Sequence, residues 1–273
     1  MRKIIIAVAP VALDVSEKVE SVLSPEEIAN DVIASYRNGA SLVHLHVRDK
    51  YGRPTEDLKE FTRTLDLIRE GCDIIIQGST GGVSDLSLED RCVSLNDERV
   101  EMGSLNMGSV NLGENEYINK LSDIRFWAKR MEERGIVPEL EIFEPGMIDN
   151  VLLLAEEGVL KPPFIFGICN GFKGTLQANT RNLQFLADSI PAGAPWGYVH
   201  HGMKNMSLLA AAIAMGAYVI RVGFEDSVYY APGKIGKTNA VLVEKAATLI
   251  RDMGFEVATT SESRELLGIR SRL

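Results

Sequence analysis

Short apolar runs rich in β-branched residues alternate with longer amphipathic stretches along the chain, a rhythm that predicts repeated strand–helix units around a parallel sheet. The pattern predicts strands at 3–9, 42–47, 73–77, 100–105, 137–142, 163–168, 195–200 and 218–222. Amphipathic segments follow them at about 25–38, 57–70, 87–97, 114–134, 146–157, 179–190, 204–215 and 236–253. Eight such pairs are the number that closes a (β/α)8 TIM barrel, and the expectation is one barrel domain over residues 1–273. Ser24-Pro25-Glu26-Glu27 reads as a helix start, with a capping serine, proline at the first helical position and acids in the first turn. Gly39, Gly71, Gly135, Gly158, Gly216 and Gly254 read as helix stops. Residues 261–270 read as a short terminal helix added to the barrel.

The polar residues that interrupt this pattern cluster at the carboxyl ends of the predicted strands, where barrels carry their chemistry. His44 and His46 close strand two, Gln77-Gly78-Ser79-Thr80-Gly81-Gly82 follows strand three, and Ser104 and Asn106 end strand four. Glu139 and Glu141 lie on strand five, His200 and His201 end strand seven, and Arg221, Glu225 and Asp226 surround the end of strand eight. Alternate residues of a strand share a face, so His44 and His46 project the same way and form half a metal site. Only strand one separates strands two and eight in the closed barrel, which brings Glu225 within reach of the same point. His44, His46 and Glu225 are therefore the expected metal ligands, with Zn²⁺ the expected ion. Three protein ligands leave a coordination position for water or a substrate oxygen. The Gly78–Gly82 turn can present N–H groups and hydroxyls to an anion, or be an ordinary tight loop. Glu139 and Glu141 share parity, and either can pair with an arginine instead of acting in catalysis. His200 and His201 are adjacent, so at most one faces the pocket.

Composition narrows the function classes. The 273 residues are 45% hydrophobic and 25% charged with a net charge of −9, which argues against nucleic-acid and anionic-membrane partners. Cys72, Cys92 and Cys169 are odd in number and widely spaced, so neither a disulfide framework nor a thiolate zinc site is expected, and a cytoplasmic location is. No apolar run approaches the roughly 20 residues needed to span a bilayer. The basic, apolar start before Pro10 lacks a cleavage pattern and reads as the first strand.

Taken in order, His44-Leu-His46-Val-Arg-Asp49, Gly78-Ser-Thr-Gly-Gly82, Pro138-Glu-Leu-Glu141, Arg221-Val-Gly-Phe-Glu225-Asp226 and the tail from Val257 to Gly268 resemble the β-keto acid cleavage enzymes. The resemblance implies a zinc-dependent barrel, usually a homotetramer, that reacts a β-keto acid with acetyl-CoA to give acetoacetate and a new acyl-CoA. It implies His44, His46 and Glu225 as metal ligands, Asp226 as general base oriented by Arg221, and Ser79, Thr80, Ser104 and Glu141 at the substrate. This chain departs from the family's small turn after strand one, reading Ala9-Pro-Val-Ala-Leu-Asp14, which implies a less amine-like keto acid.

Three other readings remain open on the sequence. A barrel metal-dependent hydrolase also opens with His-x-His but adds histidines from strands five and six, where this chain has Glu139, Glu141 and Ile168-Cys169-Asn170. A zinc aldolase would cleave without CoA. A non-catalytic barrel with structural zinc would fill four protein positions, whereas three ligands converge here.

Overall fold

The alternation of apolar runs and amphipathic stretches folds into a closed parallel barrel, seen in a computed structural model that describes residues 2–12, 19, 23–82 and 85–270. Its staves are β1 (Lys3–Val8), β2 (Leu42–Leu45), β3 (Ile75–Gly78), β4 (Val100–Asn106), β5 (Val137–Ile142), β6 (Ile165–Asn170), β7 (Trp196–His200) and β8 (Val219–Val222). Each pairs in parallel with the next, and β8 returns to β1 through Ile5 opposite Val219 and Ala7 opposite Arg221. Closure leaves no barrel strand with a free edge. The helices are α1 (Pro25–Arg37), α2 (Lys59–Gly71), α3 (Leu121–Glu133), α4 (Gly146–Glu156), α5 (Thr180–Ser189), α6 (Ser207–Met215), α7 (Asn239–Asp252) and α8 (Thr260–Leu266).

Local sequence explains most boundaries. Ser24 caps α1 by accepting from the Glu27 N–H, while the Glu27 carboxylate accepts from the Ser24 N–H at 3.0 Å. Two expectations need correction. Residues 87–97 give a 3-10 segment, Asp90–Asn96, where a helix was expected. The expected helix at 114–134 starts only at Leu121, and its front part is an antiparallel hairpin, Val110–Leu112 paired with Asn115–Tyr117. Its two-residue turn has Gly113 at φ 67°, the first central position where a II′ turn takes glycine. Gly71 also differs from the other proposed stops: it ends α2 without a positive φ, and a Cβ there would come within 2.8 Å of Ile33 Cγ1. Asp14 lies outside the described residues.

The barrel is filled at its amino end by Ile5, Leu42, Ile75, Met102, Ile165 and Val219. Ala258, Leu267 and Ile269 from the C-terminal segment join this cluster and plug that end. The plug is pinned by Arg264, which donates to Glu101 at 2.6 Å and to Asp73 at 2.6 Å. Ser263 and Ser41 hydroxyls meet at 2.7 Å on the same face. With that end sealed, the carboxyl-end mouth is where polar side chains reach the lumen. Among the described residues, no helix is long and apolar enough to cross a membrane.

Candidate active site

His44 and Gln77 stand side by side in the register between β2 and β3. His44 Nδ1 lies 2.7 Å from Gln77 Oε1, an oxygen that only accepts, so Nδ1 carries the proton and Nε2 presents its lone pair to the lumen. Gln77 Nε2 in turn donates to Glu139 Oε2 at 2.6 Å. A half-buried carboxyl thus orients an amide, and the amide fixes the imidazole's tautomer. Burial, with help from Arg221 and His46, pushes the His44 pKa down to about 3, so this ring is neutral at physiological pH.

Three donor atoms converge beyond that ring. His44 Nε2 and His46 Nε2 are 3.2 Å apart, and the Glu225 carboxylate oxygens lie 3.8 and 3.7 Å from them. Among the described residues, these three side chains form the cluster able to hold a metal ion. The donor set fits: two nitrogens on a tetrahedral ion with bonds of about 2.0–2.1 Å sit about 3.3 Å apart. Burial opposes the Glu225 charge, yet the two imidazoles and Arg221 hold its pKa well below the usual carboxylate range.

Backbone contacts set Glu225 in place. Its N–H donates to Ala9 O at 3.1 Å, and the Phe224 N–H donates to Asn239 Oδ1 at 2.7 Å. Asn239 also donates to Pro10 O and to Asp31, tying the loops after β1 and β8 together. Arg221, fully buried on β8, grips Asp226 through two bonds of 2.7 and 2.6 Å, and its Nη2 reaches Glu225 Oε1 at 3.4 Å. Burial disfavours this guanidinium's charge, but Asp226 and Glu225 outweigh it and hold its pKa well above normal.

The opposite wall carries the turn after β3. Thr80 donates its hydroxyl to Ser104 O at 2.6 Å, and its N–H approaches Ser104 Oγ at 3.4 Å. Ser79 Oγ accepts from the Gly81 N–H at 3.0 Å, so this hydroxyl shapes the turn. Glu141, opposite Asn106 across β4 and β5, is raised to about 8 by burial and the nearby Glu139 charge. It is therefore a neutral acid near pH 7 and able to donate a hydrogen bond. Asn106 Nδ2, also buried, completes no hydrogen bond among the described residues.

Neither His200 nor His201 belongs to the metal-binding cluster. The His201 ring stacks on Phe172 at 4.2 Å, and Phe172 leans on Phe143 at 5.3 Å, forming an aromatic wall at the mouth. His200 faces Tyr198. Sequence reasoning missed Tyr117, whose phenol lies under the Gly81–Gly82 turn. The Leu112-Gly113-Glu114-Asn115 turn was the available signal for the strand that carries it.

A family model described as beta-keto acid cleavage enzyme matches residues 3–269. The chain belongs to the β-keto acid cleavage enzyme family. It is 36% identical to the 3-keto-5-aminohexanoate cleavage enzyme of Fusobacterium nucleatum over 99% of both chains. It is 40% identical to the enzyme of the same name from Acetoanaerobium sticklandii over 89% of each. A 3-oxoadipate:acetyl-CoA acetyltransferase of Cupriavidus necator is 31% identical, with 96% of this chain and 89% of that protein covered. Among solved structures, the ternary complex of ObcA with C4-CoA adduct and oxalate superposes with a TM-score of 0.76 at 18% identity. That match covers 91% of this chain and 67% of the other, a likeness of fold.

Proposed function

We propose that this member of the family condenses a β-keto acid with acetyl-CoA and cleaves the product to acetoacetate and a new acyl-CoA. The observation that carries the reading is the convergence of His44, His46 and Glu225 beside the Arg221–Asp226 pair at one barrel mouth. The names of the relatives, which couple keto acids to acetyl-CoA, support it. A divalent ion, Zn²⁺ by its two-nitrogen, one-carboxylate donor set, would bind His44, His46 and Glu225 and supply a Lewis acid for the keto oxygen.

Asp226, oriented by its two hydrogen bonds from Arg221, takes the proton from the carbon between the ketone and the carboxylate. That carbon forms a bond to the acetyl carbonyl carbon, and the CoA thiolate leaves. The thiolate then attacks the original ketone carbon, the carbon–carbon bond breaks, and acetoacetate recovers a proton as the new thioester forms. Ser104 and Thr80 hold the substrate carboxylate, Thr80 by turning its hydroxyl from Ser104 O, and Ser79 shapes the turn that carries Thr80. Neutral Glu141 donates to a substrate oxygen. The sequence Ala9-Pro-Val-Ala-Leu-Asp14 after β1 favours a keto acid without a recognised amino group. We further propose one domain over residues 1–273, a cytoplasmic location, and a homotetramer whose contacts would cover exposed Leu152, Leu153 and Phe185.

The test is a screen of 3-keto-5-aminohexanoate, 3,5-dioxohexanoate and 3-oxoadipate with acetyl-CoA, following acetoacetate release. Turnover is expected to fall at least ~100-fold on chelation or in His46→Ala, and to return to the chelated wild type with Zn²⁺. Activity that survives both removes the metal from the reaction. Cleavage in the absence of acetyl-CoA would make the protein an aldolase.

A further inference from the structure

We infer that Tyr117 is a positioning residue for keto-acid binding: its hydroxyl seats the Gly81–Gly82 turn so that Thr80 faces the substrate. This rests on the reading of Thr80 as a substrate contact.

Tyr117 ends the hairpin inserted between β4 and α3, and its side chain is buried. The phenol oxygen lies against the Gly81 backbone. A Cβ built on Gly81 would overlap that oxygen, with the ring carbon behind it at 3.5 Å. Gly81 has no left-handed backbone to explain the absence of a side chain, so the space above it is reserved for the phenol. The ring cannot swing away. Arg91 lies over it at 5.5 Å and over Trp127 at 4.3 Å. The same guanidinium donates to Ile118 O at 2.9 Å and Asn119 Oδ1 at 2.7 Å, fixing the residues that follow Tyr117. Thr80 is tied to β4 by its own bonds to Ser104, which leaves the glycine side of the turn to the phenol.

Acetoacetate, which keeps the substrate's carboxylate through the proposed reaction, is the probe, and its dissociation constant is measured by calorimetry on metal-loaded protein. Tyr117→Phe is expected to weaken binding about 10-fold while leaving the melting temperature within a few degrees, since one hydroxyl is lost. Gly81→Ala should weaken binding similarly, because the new methyl meets the hydroxyl. In the double variant that obstacle is gone, so binding should be no weaker than in either single variant. Wild-type affinity in Tyr117→Phe, or a Gly81→Ala penalty that persists undiminished beside Phe at 117, overturns the proposal. Thr80→Ala separates the two readings. If it binds acetoacetate like wild type, the substrate-site assignment fails; if it binds weakly while Tyr117→Phe does not, only the positioning role fails.

Discussion

A histidine or a carboxylate acquires its chemistry here from residues distant in sequence. His44 presents Nε2 to the metal site because Gln77, 33 positions later, accepts the hydrogen bond from its protonated Nδ1, Glu139 holds Gln77, and burial keeps the ring neutral. The spacing of His44 and His46 was legible because strand parity is a local property; the Gln77–Glu139 support was not, because it spans two strand pairings. Glu141 makes the same point. Its pKa is raised to about 8 from 4.5, so between these values the folded state holds a proton that the unfolded state releases. Stability contributed at this site therefore falls as pH rises through that window, by at most about 1.4 kcal/mol per pH unit, and levels off above it. Glu141→Gln does not titrate. Measured in chelator, its melting temperature relative to wild type is expected to climb from pH 5 to pH 8. A constant offset would show that Glu141 ionises normally.

Elements position these residues through backbone contacts as much as through side chains. Gly223, at φ 141°, lies against the backbone of Ala9, and a Cβ there would come within 2.7 Å of Ala9 C and 2.8 Å of Ala9 N. Gly223→Ala must therefore displace the loop that carries Glu225. The expected result is metal binding weakened at least ~10-fold in a chelator competition, with the helical circular dichroism retained. Unchanged affinity would mean that the loop after β8 tolerates the shift. The amphipathic period located α1, α4 and α7 because each packs one face on the barrel. It overran α3 because Tyr117 stands four and seven residues before Leu121 and Ile124, a helical spacing, and only the glycine turn marks the hairpin that ends there.

At the scale of the molecule, one end of the barrel is for stability and the other for chemistry. The C-terminal segment from Glu256 to Ile269 closes the amino end, with Glu256 and Val257 beside Lys3 and Ile4 of β1. Arg264 is the pin, and its partner Glu101 is nearly buried, with 8% of its side chain exposed. Arg264→Ala leaves Glu101 with Arg69 as its remaining partner, at 3.3 Å. A loss of about 3 kcal/mol in urea unfolding is expected, with kcat of the folded enzyme unchanged because the mouth lies at the far end. A loss under about 1 kcal/mol would show that apolar packing alone holds the plug.

The chain by itself determined the barrel, the end at which its polar groups gather and the His-x-His pair, because hydrophobic period and strand parity are written in neighbouring residues. Only the tertiary structure decided which groups meet there. Gln77 and Glu139 line up behind His44, His201 turns to stack on Phe172, and Tyr117 arrives under the glycine turn on a hairpin. Each of these depends on how strands far apart in sequence are registered and how loops cross the mouth, and those are properties of packing that no local pattern encodes.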